Sequence, residues 1–211
     1  MSNQRNAAPE LAAIEVQGIT RQALIVRGAV AAGAVYGLGA VGPFVRESMA
    51  KEGGDVEILN FALTLEFLEA AFYESALKQV GGLSGEVKEL ATTLRDNENE
   101  HVGVLSATIK DLGGTPVKAP KVDFGKAFAS QGSFLKLAQT LEDTGVSAYN
   151  GAAPSIESAE VLGAAGSIVQ IEARHAAAIR LLNKKPISDG GFDKSLEMQQ
   201  VLDAVQPFVK S

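Results

Sequence analysis

The chain of 211 residues contains no cysteine. This absence excludes disulfides, iron–sulfur clusters, thiolate zinc sites and cysteine nucleophiles. Any bound metal must therefore be held by carboxylate and imidazole, a ligand set that suits iron, manganese or zinc. The chain also lacks a dense basic patch with interleaved aromatic residues, and its net charge is −6, so we expect no nucleic-acid partner.

Histidine is also scarce, because the chain has only His101 and His175. Each histidine follows a glutamate by three residues, namely Glu98 and Glu172. Residues i and i+3 share one face of an α-helix, so each Glu-x-x-His pair can reach one metal ion. Di-iron four-helix bundles use two such helices and two further helices that contribute one glutamate each. Both histidines are then engaged, and no serine–histidine–acid triad can be built.

The apolar pattern predicts an all-α fold with four long helices. These helices are predicted over residues 55–80, 84–112, 133–153 and 155–183. A short helix is possible at 124–129, and a short C-terminal helix near 194–205 would pack on the outside. The second and third long helices are separated by about 20 residues, whereas antiparallel neighbours need roughly 2–8. One long crossover of this kind is typical of ferritin-like bundles.

An internal repeat supplies the two missing glutamates. Thr64-Leu65-Glu66 is followed seven residues after Glu66 by Tyr73, and Thr140-Leu141-Glu142 is followed at the same distance by Tyr149. Each half then forms a helical hairpin, and a pseudo-two-fold axis would relate the halves. The repeat favours Glu66 over Glu69, because Glu69 aligns with Gly145. The predicted metal ligands are Glu66, Glu98, His101, Glu142, Glu172 and His175.

Charge balance supports two metal ions at this site. Four buried carboxylates are very costly without compensation, whereas two divalent cations neutralise them. We expect iron first and manganese as the alternative.

The tyrosines and the charged residues near the predicted ligands are not themselves predicted to bind metal. Tyr73 and Tyr149 are candidates for hydrogen bonds to the ligands or a redox role, with ordinary core aromatics as the alternative. Glu69, Glu100 and Asp143 are expected to be surface charges. Arg174 is expected to face outward or to pair with a carboxylate.

Four segments carry a resemblance to a known family: ILNFALTLEFLEAAFY, ENEHVGVL, LEDTGVSAYNGAAPSI and VQIEARHAAAIRLL. They resemble the ferritin-like family that includes bacterial and plant desiccation-related proteins, over about residues 55 to 183. The resemblance implies a ferritin-like bundle and the same six metal ligands. Many better-known di-iron proteins place an aspartate before the glutamate of each Glu-x-x-His. Here those positions hold Asn97 and Ile171.

Residues 1–50 are expected to form a separate N-terminal segment, and residues 51–211 the bundle domain. The stretch TRQALIVR at 20–27 precedes a weakly hydrophobic segment and resembles a twin-arginine export signal without its second arginine. The alternative is a retained hydrophobic helix, packed through Gly33 and Gly37, that contacts a membrane through residues 20–45. Either interpretation places the bundle outside the cytoplasm. A buried soluble helix in a cytoplasmic protein is the remaining alternative, and a homo-oligomer is possible.

The predicted function is a dinuclear metal protein with redox chemistry on iron, oxygen or peroxide. It would be an oxidoreductase, either a ferroxidase or a peroxide-consuming enzyme, but the sequence leaves open whether the protein is catalytic. The rival hypothesis is a non-catalytic, stress-protective subunit anchored by its N-terminal helix. Iron storage in a closed cage ranks below both.

Overall fold

The computed structural model describes residues 54–210, which are mostly helical. The predictions for residues 1–50, including the hydrophobic helix, lie outside the described residues. The described helices are α1 (Asp55–Gln79), α2 (Gly85–Asp111), α3 (Gln131–Ala152), α4 (Ala159–Leu182) and α5 (Met198–Val205). Two short strands are β1 (Lys121–Val122) and β2 (Val209–Lys210). Single 3-10 turns span Ala127–Ala129, Ala153–Ser155 and Gln206–Phe208.

Serine caps begin three of the four long helices. Ser84 accepts a hydrogen bond from the Val87 amide, and Ser130 forms a reciprocal capping box with Ser133. Such caps satisfy backbone amides that have no partner inside the helix. The fourth helix was predicted to begin near residue 155, but α4 begins at Ala159 behind its cap Ser158.

Asp55 explains the later start of α4. Its carboxylate accepts hydrogen bonds from the amides of Glu157 (2.7 Å) and Ser158 (2.8 Å). These contacts hold the chain before α4 in a non-helical conformation against the first residue of α1.

The long connection between α2 and α3 runs the length of the bundle. Near its start, Asn60 of α1 donates to the Thr115 carbonyl (3.2 Å) and accepts from the Val117 amide (2.8 Å). At its end, Gln131 accepts a hydrogen bond from the Ser84 amide, which follows the other end of α1. The connection therefore returns the chain to the end where α2 began, so α2 and α3 run in the same direction. This confirms the predicted ferritin-like arrangement.

Two apolar clusters fill the bundle, and polar residues separate them along α2 and α4. On α2, Leu94 belongs to one cluster and Leu105 to the other. On α4, Ile168 and Ile179 are divided in the same way. The Glu-x-x-His pairs lie between these residues, near the middle of each helix. The site is therefore closed at both ends by apolar packing.

The C-terminal segment packs against the crossover. Val201 of α5 is fully buried in the cluster that contains Leu94, and this agrees with an outer helix that packs by one apolar face. The strands β1 and β2 pair antiparallel, with Val122 opposite Val209. This two-residue pairing was not predicted. Among the helices of residues 54–210, none combines the length and apolar character needed to cross a membrane.

Candidate metal centre

All six predicted ligands come together in the middle of the bundle. Their side chains are buried, and the four carboxylate-bearing residues have no exposed surface at all. Glu66 lies on α1, Glu98 and His101 on α2, Glu142 on α3, and Glu172 and His175 on α4. The contributions from four separate helices produce a single compact polar centre.

The six residues form two overlapping groups in which one ligand atom from each member lies within 4.8 Å of the others. The first group consists of Glu66, Glu98, His101 and Glu172. The second group consists of Glu98, Glu142, Glu172 and His175. Glu98 and Glu172 belong to both groups. The sequence did not indicate which carboxylates could serve both metal positions, and their membership of both groups makes Glu98 and Glu172 the candidates.

In the first group, the imidazole of His101 points Nδ1 at three carboxylates. Its Nδ1 lies 3.1 Å from Glu66 Oε2, 3.0 Å from Glu98 Oε2 and 3.1 Å from Glu172 Oε1. One small cation at this point would be within reach of all four side chains.

In the second group, His175 also presents Nδ1 to the carboxylates. This nitrogen lies 2.9 Å from Glu98 Oε1 and 3.4 Å from Glu142 Oε2. The two imidazole rings are 6.2 Å apart between centroids and nearly parallel, at 28°. The matching orientation of the histidines agrees with the predicted pseudo-two-fold axis.

Several buried atoms of the centre lack a hydrogen-bond partner within residues 54–210. They are Glu98 Oε1, Glu142 Oε2, both Glu172 oxygens and His175 Nδ1. The short distance between His175 Nδ1 and Glu98 Oε1 therefore lacks hydrogen-bond geometry. Buried polar atoms are normally paired, and an unpaired one is costly. Carboxylate oxygens and imidazole nitrogens that converge without partners fit a pair of iron, manganese or zinc ions.

The four carboxylates bring negative charge together in a buried part of the bundle. Burial raises the pKa of Glu66 to about 7, and burial followed by the charges of Glu66 and Glu98 raises the pKa of Glu172. Burial also raises the pKa of Glu142. Burial acts in the same direction on Glu98, but its close contacts with both histidines outweigh it and lower its pKa to about 2. A cation would relieve this repulsion.

The histidines carry the compensating charge when no cation is bound. Burial alone would lower the imidazole pKa values, but contacts with the surrounding carboxylates raise the pKa of His101 to about 12 and that of His175 to about 10. A metal ion that binds Nδ1 must displace this proton, so metal binding and proton binding compete.

Each tyrosine of the repeat contacts the glutamate of the opposite hairpin. Tyr73 of α1 donates its hydroxyl hydrogen to Glu142 Oε1, and Tyr149 of α3 donates to Glu66 Oε1 at 2.5 Å. Burial is the main reason that both phenol pKa values are raised, so both hydroxyls remain protonated donors. The tyrosines therefore hold two predicted ligands in place. A redox role for them stays a prediction.

The residue before each Glu-x-x-His pair behaves differently in the two hairpins. Asn97 Nδ2 lies 2.9 Å from His175 Nε2, on the side of the ring away from the carboxylates. An amide offers both a donor and an acceptor, so Asn97 can serve either tautomer of the ring. The corresponding residue for His101 is Ile171, which offers neither.

The prediction that Glu69 is a surface charge was wrong. Glu69 has only 3% of its surface exposed and lies among the carboxylates of the centre. Charged residues one turn from a ligand are usually solvated, and the repeat favoured Glu66 over Glu69 because Gly145 aligns with Glu69. That glycine was the missed signal, because it leaves space opposite Glu69. The predictions for Glu100 and Arg174 agree with the structure, since both residues are exposed.

Asp143 is half-buried rather than a free surface charge. The guanidinium of Arg180 donates to both of its carboxylate oxygens, at 2.8 Å and 2.9 Å. This ion pair joins α3 to α4 beside the centre and takes no part in the ligand groups.

Comparison with known proteins agrees with this architecture. No curated protein matches the chain in sequence. A family model described as a ferritin-like domain matches residues 54–185, which include all four long helices and the whole centre. The chain belongs to the ferritin-like domain family.

Proposed function

We propose that the protein binds two metal ions between the four long helices and uses them for redox chemistry on iron, oxygen or peroxide. Iron is the first candidate metal and manganese the second. A pair of iron(II) ions can supply two electrons, which with two protons reduce one molecule of oxygen to hydrogen peroxide, or one molecule of hydrogen peroxide to two molecules of water. This reaction class follows from the ligand chemistry and from analogy with other proteins of the fold.

The chain itself provides position, charge and exclusion of water. Glu98 and Glu172 belong to both ligand groups, so they would hold the two ions side by side. Four carboxylates balance the charge of two divalent ions, and the two imidazoles add neutral ligands once they lose their protons. The apolar clusters at both ends limit access of bulk water to the centre.

The observation that supports the proposal most strongly is the set of unpaired buried atoms. Five carboxylate and imidazole atoms point to one place without hydrogen-bond partners in the described part of the chain. A bundle that kept these residues only as a structural polar network would pair them with one another. Instead their arrangement is the one expected of a binding site for cations.

Anaerobic loading with iron(II), followed by exposure to oxygen, tests both parts of the proposal. We expect about two iron ions per chain, and we expect oxygen uptake with loss of iron(II) faster than in buffer with the same iron. The matched pair of variants is Glu98→Ala, at the centre, and Glu100→Ala, at an exposed position of the same helix. Only the first should abolish uptake and oxidation.

The results separate the metal site from its chemistry. Absence of metal uptake by the wild-type chain would contradict the metal site. Uptake of two ions without any reaction towards oxygen or peroxide would contradict the redox function and leave a metal-binding bundle. Parallel loading with manganese(II) shows which of the two metals is held more tightly.

A further inference from the structure

Glu69 is a buried carboxylate that the six-ligand site does not use. Only 3% of its surface is exposed. Burial is the main reason that its pKa lies well above the ordinary value, and the charges of Glu172, Glu142, Glu98 and Glu66 act in the same direction. Burying a fifth carboxylate beside four others is unfavourable unless something compensates their charge.

The space that Glu69 occupies is created by a glycine on another helix. Gly145 lies in the middle of α3, where glycine is a poor helix former. A Cβ atom at this position would be 3.2 Å from Glu69 Oε1 and 3.2 Å from Glu172 Oε2, which is closer than nearly all real Cβ contacts. Both carboxylates therefore point at the same spot, and the missing side chain of Gly145 is what admits them.

The two hairpins differ at this position of the internal repeat. Glu69 and Gly145 are equivalent positions, three residues after Glu66 and Glu142. Positions i and i+3 share a helix face, so Glu69 approaches the same centre as Glu66. The first hairpin thus contributes an additional carboxylate, and the second contributes the space that receives it. The centre contains five carboxylates instead of four.

We infer that Glu69 is a seventh metal ligand, which binds beside Glu172 at the metal position formed with Glu142 and His175. The inference rests on the proposed metal site. Glu69 belongs to neither compact ligand group, so it reaches the metal from the edge, through the space at Gly145. Glu172 and Glu142, its two strongest charge neighbours, both belong to the second group. The fifth negative charge exceeds the charge of two divalent ions, so it favours a trivalent ion at this position.

Binding of cobalt(II) to the full chain tests the inference without any measurement of turnover. Cobalt(II) reports its coordination number through its visible absorption, and its binding can be titrated. We expect Glu69→Gln to weaken one of two cobalt equivalents by tenfold or more and to change the spectrum. Gly145→Ala should weaken the same equivalent by a smaller factor, because its methyl group would lie 3.2 Å from Glu69 Oε1 and push that carboxylate aside. The double variant should be no worse than Glu69→Gln alone.

Two controls keep the test interpretable. Glu100→Gln removes an exposed carboxylate from α2 and should leave both cobalt equivalents unchanged. Glu69→Gln keeps the size of the side chain, so the metal-free variant should retain the helical circular dichroism and the cooperative thermal unfolding of wild type. Retention of both shows that any loss of cobalt binding does not arise from misfolding.

The cobalt(II) titrations have three outcomes that would overturn the inference. Two equivalents with unchanged affinity and spectrum in Glu69→Gln would overturn the inference and leave the proposed function intact. Weakening by Gly145→Ala alone would also overturn it, because the space would then serve Glu172 only. Failure of the wild-type chain to bind any metal would overturn the inference together with the proposed function.

Discussion

The two helical hairpins carry the same pattern of candidate ligands but differ at two positions next to them. The first hairpin, α1 and α2, has Glu69 and Asn97 where the second, α3 and α4, has Gly145 and Ile171. Asn97 contacts His175, a member of the second ligand group. Glu69 and Glu172 both face the space at Gly145, and by our inference Glu69 binds metal at the second group as well. The repeat thus produces two similar ligand groups, and its two exceptions would give the second group more partners.

The largest expected effect comes from the two carboxylates that both positions share. Glu172→Ala should abolish binding of both metal ions, because Glu172 belongs to both ligand groups. Glu142→Ala should leave about one ion per chain, because Glu142 belongs to only one group. Metal content after dialysis, measured by elemental analysis, checks the difference.

Glu98→Ala and Glu66→Ala form the matching pair in the first hairpin. Glu98→Ala should behave like Glu172→Ala, and Glu66→Ala should behave like Glu142→Ala. If the four variants lost the same amount of metal, the division into shared and unshared carboxylates would be wrong. Circular dichroism of each metal-free variant verifies that the bundle still folds.

The next effect is a fall in the stability of the metal-free protein as pH rises. The folded pKa of His175 is about 10 and that of His101 about 12, both above the ordinary value near 6.5. A group whose pKa is higher in the folded protein than in the unfolded chain contributes fully to the stability of the fold at pH values below its pKa in the unfolded chain. This contribution is lost as the pH rises through the pKa of the group in the folded protein. Glu66, raised to about 7, acts in the same direction at lower pH.

Thermal unfolding of the chelator-treated protein should therefore show a lower Tm at pH 9 than at pH 6.5. The histidines should also differ, since His101 contacts three carboxylates within 3.1 Å whereas His175 has one that close. Nitrogen NMR of the imidazoles should show His175 losing its proton first. A Tm that is constant or rises over this range would contradict the raised pKa values. Metal should restore stability most at high pH, because its ligands are then deprotonated.

Most of the fold and the six-residue centre could be predicted from the sequence because both depend on local spacing. Helical periodicity locates the four long helices, and Glu-x-x-His defines a helix face regardless of what packs against it. The length of the connection before Gln131 predicts the crossover in the same way. The repeat then identifies Glu66 and Glu142 without knowledge of their contacts.

The features that were missed depend on contacts between distant segments. Glu69 is buried only because Gly145, on another helix, leaves room for its carboxylate. The contact of Asn97 with His175 crosses from one hairpin to the other over 78 residues of sequence. The start of α4 is set by Asp55, at the beginning of α1. No local pattern encodes such pairs, although the mismatch between Glu69 and Gly145 was visible in the repeat.

A smaller effect should follow from the unequal support of the two histidines. Asn97→Ala removes the partner of His175 Nε2, and loss of such an orienting contact typically costs 10- to 100-fold in metal affinity. Only one of two zinc equivalents should weaken in a competition titration with a chromogenic chelator. Asn99→Ala is the matched control, since Asn99 is exposed on the same helix and its amide donates to the Arg95 carbonyl.

The reverse substitution, at the equivalent position of the second hairpin, tests the same difference between the two histidines. Ile171→Asn places an amide at the position equivalent to Asn97, where the pseudo-two-fold symmetry would bring it to the ring of His101. The zinc equivalent on that side should then bind more tightly, and the two affinities should become more alike. Equal weakening of both equivalents by Asn97→Ala would instead show that the two metal positions are not independently supported.

The smallest effect should come from the tyrosines, where the two hairpins are alike. Tyr73→Phe and Tyr149→Phe keep the ring and remove one hydrogen bond to a carboxylate of the other hairpin. Each should lower the free energy of unfolding of the metal-free protein by about 1–2 kcal/mol, because a buried carboxylate loses its donor.

Metal affinity should change less than tenfold in both tyrosine variants, since each candidate ligand keeps its position on the helix. Urea denaturation and zinc competition measure the two quantities. If the pseudo-two-fold axis governs this part of the site, the variants should match within error. A loss confined to Tyr73→Phe would show that the asymmetry introduced by Glu69 and Asn97 extends to the hydrogen bonds between hairpins.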